Sequence, residues 1–139
     1  MSAQLMIERL LELTHWQVSQ KNELSVSIEL LDCTLELASP DGQALRLRAK
    51  LVEFPDDEDE RLALSKNFAL HNVALCKSSS DRVVIEGNAF FLEAVIPPSD
   101  LENLDIEACV ETFLDNYDFL KATENHEKTD VPFDLTMLL

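Results

Sequence analysis

Hydrophobic and polar residues alternate most cleanly between Leu24 and Leu31. Leu24, Val26, Ile28 and Leu30 fall on one face and Ser25, Ser27 and Glu29 on the other, the period of a strand with one buried side. Two more strands, Thr34–Ala38 and Gln43–Phe54, flank Ser39-Pro40-Asp41-Gly42. A three-residue Pro-Asp-Gly loop with Gly42 at positive φ would join them as a bulged hairpin. That register sets Leu37 against Leu45, Leu35 against Leu47, Glu36 against Arg46 and Thr34 against Arg48. Apolar residues then meet each other, and a carboxylate meets a guanidinium.

The second half of the chain predicts a strand pair and a long helix. The strands are Arg82–Glu86 and Ala89–Ile96, joined at Gly87-Asn88. Phe90, Leu92, Ala94 and Ile96 line one face of the second strand, but Phe91 and Val95 with Glu93 leave the other largely apolar too. A half-solvated strand is polar on one side, so both faces here are expected to be covered, one of them by another chain or a peptide. Pro97-Pro98 ends the strand, since proline has no N–H for the ladder. Ser99 or Asp105 can cap the following helix, in which Ile106, Cys109, Val110, Phe113, Leu114, Tyr117 and Leu120 repeat at helical spacing. Glu107, Glu111, Asp115 and Asp118 make its polar face.

Ser2 to about Trp16 reads as a helix with a broad apolar side. Arg61 to about Phe68 reads as a short helix preceded by acidic residues, and Asn72–Lys77 as a further strand before the turn Ser78-Ser79-Ser80-Asp81. The expected fold class is therefore α+β. A mostly antiparallel sheet of five to six strands is flanked by three helices, in the order α-β-β-β-α-β-β-β-α. One domain spans residues 1–122, and residues 123–139 form a polar, flexible tail ending in apolar residues.

Composition narrows the partners. The 139 residues are 46% hydrophobic, enough for a folded core, and carry a formal charge of −16. That charge repels nucleic acid and anionic membranes and suits a basic or unfolded partner. No run is long enough to span a membrane, and no basic region precedes the first apolar residues as in a signal peptide. The three cysteines, Cys33, Cys76 and Cys109, form no CxxC motif, and thiols in apolar surroundings fit a reducing cytoplasm.

Sites of chemistry are not evident. Gly42 and Gly87 are the only glycines, so no phosphate-cradling loop exists. His15, His71 and His126 lack ligand spacing. Asp56-Asp57-Glu58-Asp59-Glu60 lacks the alternation and central glycine of an EF-hand and reads as a solvated start of a helix. Arg46, Arg48 and Lys50 form a basic row on one strand face, better suited to ion pairs within the sheet than to nucleic acid. No enzyme activity, cofactor or metal is expected.

The element order, together with Leu64-Ser65-Lys66-Asn67-Phe68-Ala69-Leu70, Phe91-Leu92-Glu93-Ala94-Val95-Ile96-Pro97 and Leu104-Asp105-Ile106-Glu107-Ala108-Cys109, resembles the class I type III secretion chaperones, the small acidic CesT-like family. The resemblance covers about residues 2–121. It implies a bacterial cytoplasmic homodimer that binds an extended, unfolded N-terminal segment of a secreted effector, through apolar grooves and strand addition. By place in that fold, Phe68, Val84, Phe91 and Val95 are candidates for the dimer interface. Leu5, Ile7, Val26, Ile28, Leu30, Leu35, Leu37 and Leu47 are candidates for client groove or core. The alternatives are an adaptor or subunit of a larger cytosolic assembly and, more distantly, a small metal-assisted enzyme using Asp56–Glu60.

Overall fold

The computed structural model describes residues 2–127. The element order is α1 (Ala3–Thr14), β1 (Val18–Lys21), β2 (Ser25–Glu29), β3 (Thr34–Ala38), β4 (Leu45–Glu53), α2 (Glu58–Ser78), β5 (Arg82–Glu86), β6 (Ala89–Ile96), α3 (Pro98–Leu101) and α4 (Ile106–Glu127). The fold is α+β. Its six strands form one antiparallel sheet in the order β1-β2-β3-β4-β6-β5. Residues 123–127, expected in the tail, continue α4; the apolar end of the tail lies outside the described residues.

Alternation decides which face is buried. Val26, Ile28, Leu35, Leu37, Leu45, Leu47, Leu92 and Ala94 point to the helix side and are almost fully enclosed. Met6, Ile7 and Leu10 of α1, Leu64, Phe68 and Leu75 of α2, and Val110, Phe113, Tyr117 and Leu120 of α4 close over them. Phe90 lies between the rings of Phe54 and Phe68, with centroids 5.0 and 4.9 Å away. The hydroxyl of Ser2 caps α1 by accepting from the Leu5 amide at 3.2 Å, and Asp105 caps α4 by accepting from the Ala108 amide at 3.1 Å.

A bulge in β4 ties α4 to the sheet. Lys50 pairs with Phe91 and Val52 with Phe90, which leaves Leu51 as the extra residue. The Tyr117 hydroxyl donates to the Lys50 carbonyl and the Lys121 ammonium to the Leu51 carbonyl, both at 2.8 Å. Buried carbonyls need such partners.

Three expectations are corrected. The segment Asn72–Lys77 is the continuation of α2, not a strand. Leu64, Phe68, His71 and Leu75 keep helical spacing through it, and no glycine or proline interrupts them. The sheet instead gains β1, whose residues are all exposed and which therefore carries little apolar signal. The β3–β4 register is shifted by two residues, so that Leu37 faces Leu47 and Glu36 faces Arg48. Gly42 does adopt φ 75° and its N–H reaches the Ser39 carbonyl at 3.0 Å. The Asp41 carboxylate, however, accepts from the amides of Gln43 and Ala44 at 2.9 Å each, and that lengthens the turn before the ladder begins. The same two amides hold the Asp41 carboxyl below its ordinary range.

Candidate functional site

The two faces of the sheet differ in what covers them. The helices occupy one. The other carries Glu36 on β3, the row Arg46, Arg48 and Lys50 on β4, Phe91, Glu93 and Val95 on β6, and Val84 on β5. The basic row is ion-paired within the sheet. Arg46 reaches diagonally to Glu36 at 2.7 Å, Lys50 pairs with Glu53 at 2.6 Å, and Arg48 joins Glu86 of β5 to Glu93 of β6. The Arg48 guanidinium also lies 5.4 Å from the centre of the Phe91 ring, a cation–π contact that half-covers the aromatic. The second apolar face foreseen for β6 is thus partly closed by an arginine, while Val95 stays open.

Of the candidate interface residues, Val84 and Phe91 are cross-strand partners on one sheet face, shared by Val95, and Phe68 is apart from them. Phe68 is buried on the helix side of the sheet, whereas Val84, Phe91 and Val95 are on the open side. Of the candidate groove residues, Ile7, Val26, Ile28, Leu35, Leu37 and Leu47 are core, and Leu30 is half-buried. Leu5 alone is exposed, at 54%.

The structure brings forward a seam that the sequence reading missed. Beside its core stripe, α2 carries a second row, Leu62, Ser65, Ala69 and Val73, that faces outward next to β5. Leu62 and Val73 are exposed, Val73 at 61%, and Ile85 of β5 is exposed at 59%. Between Ser65 and Ala69 of α2 and Ile85 lies a shallow cavity of about 140 Å3 with Phe68, Val83 and Phe90 in its lining. The signal was the repeat of apolar and small residues at 62, 65, 69 and 73, hidden because the core stripe overlaps it.

The two sheet edges are treated differently. At β5 the side-chain amide of Asn72 acts as a substitute strand: its Oδ1 accepts from the Val83 N–H at 2.6 Å and its Nδ2 donates to the Val83 carbonyl at 3.0 Å. The outward backbone groups of Val83 are thereby satisfied. At β1 the side chains are exposed throughout and, among the described residues, no strand lies beyond it.

Burial is the largest influence on the titratable groups on the helix side, with nearby charges adding to it at Cys109 and Cys33 and opposing it at Asp81. Burial pushes the Cys109 thiol up to about 11 and raises Cys33, so neither is a thiolate near neutral pH. Burial lowers His71, whose ring stands edge-on to Phe119 at 5.3 Å, and raises Asp81, which accepts from the Asn116 amide at 2.6 Å. Asn67, 2% exposed, has both amide atoms without a partner. The run 56–60 forms the loop before α2 and its first turn. Among the described residues, no group of three His, Cys, Asp or Glu side chains is placed to hold a metal ion, and no helix is long and apolar enough to cross a membrane. In comparison with known proteins, no family model matches the chain and no curated protein matches it.

Proposed function

We propose that this chain is a bacterial cytoplasmic secretion chaperone. It acts as a homodimer, holds an extended, unfolded segment of a type III secreted effector ready for export, and performs no catalytic turnover. The observation that carries the reading is the contrast between the two sheet edges. Asn72 occupies the β5 edge at Val83, while among the described residues no strand pairs with the outer side of β1. An open edge accepts main-chain hydrogen bonds from an incoming strand irrespective of its sequence. Those bonds, with apolar anchors, offset the entropy of ordering a disordered segment.

The exposed seam of α2 and Ile85 serves the second copy of the chain. Ser65 and Ala69 are small enough for a second helix to approach closely, and Leu62 and Val73 flank them. A two-fold axis would place the same row on both sides. The α+β fold, the strong negative charge and the resemblance of the motifs to the chaperone family support the same conclusion.

Hydrogen exchange tests the edge. On adding a peptide from the disordered N-terminus of a secreted effector, amides in residues 18–21 gain protection and those of β5 change little. Binding without protection at β1 would remove strand addition from the account. A tight, rigid complex with a folded partner and no peptide binding would favour a subunit of a larger assembly.

A further inference from the structure

We infer that the cleft between α1 and α4 is a docking groove for a cationic amphipathic segment of a partner chain. The groove is about 420 Å3 and runs between Leu10, Thr14 and Trp16 on one side and Val110 and Leu114 on the other. Its rim is acidic, formed by Glu107, Glu111 and Asp115 from the exposed face of α4. At Glu107 it continues into a second depression of about 440 Å3 beside the exposed Leu13. There Glu102 and Asp105 add two carboxylates, and Arg9 is the one basic side chain in the lining.

Charge decides the occupant. An apolar floor beneath a rim of three carboxylates, Glu107, Glu111 and Asp115, matches a segment that presents leucine-like anchors on one side and lysine or arginine on its flanks. A second copy of a chain with net charge −16 is repelled at this rim. The chain's own residues 128–139 are also poorly suited, because they bring Asp130 and Asp134 against the single base Lys128. The inference rests on the chaperone reading and specifies its client, which carries a basic amphipathic anchor in addition to the segment that pairs with β1.

Trp16 is the only tryptophan and lies in the groove wall, so its fluorescence reports occupancy directly. The probes are a synthetic peptide with leucines at helical spacing flanked by lysines, and the same peptide with every lysine replaced by glutamate. The lysine peptide shifts Trp16 emission, binds more weakly as salt rises, and loses at least about tenfold in affinity to the double variant Glu111→Lys, Asp115→Lys. The control variant Asp56→Lys, Asp57→Lys changes net charge equally on the loop before α2 and leaves binding within about twofold. Circular dichroism checks that both variants keep the fold.

Equal binding of both peptides, or equal loss in both variants, would overturn the groove. A Trp16 shift on truncation after residue 127 would overturn it too, by making the tail the occupant. An effector segment that protects β1 without moving Trp16 would overturn the groove and leave the chaperone reading intact. Lysine-peptide binding at Glu111 and Asp115 in a chain that takes no effector segment would do the reverse.

Discussion

Arg48 reaches across two strands of the open sheet face, to Glu93 and Glu86, and lies over Phe91. Arg48 and Glu93 are both mostly enclosed, so removing the guanidinium strands a carboxylate that water reaches poorly. Arg48→Met is expected to cost about 1–3 kcal/mol in urea unfolding, chiefly through Glu93; the Glu86 contact is solvent-exposed and contributes little. Asn67 offers the opposite case. Its buried amide makes no hydrogen bond, so Asn67→Leu is expected to raise stability by about 1–2 kcal/mol in the same measurement. His71 adds a pH dependence. Burial lowers its pKa, so the unfolded chain takes up a proton that the folded chain resists. Its contribution is fully present above the ordinary value of 6.5 and is lost as pH falls below it. Urea midpoints measured across this range should fall less steeply for His71→Leu; an unchanged slope would place the acid sensitivity elsewhere.

At the scale of elements, α2 does three things at once. It contributes Leu64, Phe68 and Leu75 to the core, Asn72 to the β5 edge, and Leu62 and Val73 to the outer seam. Asn72→Leu keeps helix propensity but unpairs the Val83 backbone. It should destabilise the protein by about 2–3 kcal/mol, speed exchange of the Val83 amide, and increase aggregation through the freed edge. This multiplicity also explains what was legible in the sequence. A strand with one buried face, such as Ser25–Glu29, announces itself by alternation, Ala89–Ile96 by its apolar run ended at Pro97, and α4 by a single stripe with an acidic back. A helix with two apolar stripes has no clear period, so the pattern predicts α2 too short and a strand at its end. The all-exposed β1 offers Val18 as its one apolar residue. The β3–β4 register turned on the side chain of Asp41, which residue classes do not encode. The groove between α1 and α4 was visible only as the acidic row of α4, because Leu10 and Trp16 arrive from more than ninety positions earlier in the chain.

For the whole molecule, charge and apolar exposure work together. A net charge of −16 keeps a chain with an exposed seam and an open edge soluble, and it weakens self-association at every surface except one that is strongly apolar. The exposed seam of Leu62, Val73 and Ile85 is the surface proposed for it. Val73→Asp is therefore expected to turn a dimer into a folded monomer, seen as a halved mass in light scattering with an unchanged circular dichroism spectrum. Raising the salt concentration should tighten the proposed dimer by screening the acidic surfaces around the seam.

The most direct measurement is light scattering of the purified chain, alone and with peptides from the disordered N-termini of secreted effectors. The account predicts a stable dimer that takes up one extended peptide per dimer. A monomer that binds none of them would contradict it, leaving the open β1 edge and the α2 seam without the partners proposed for them.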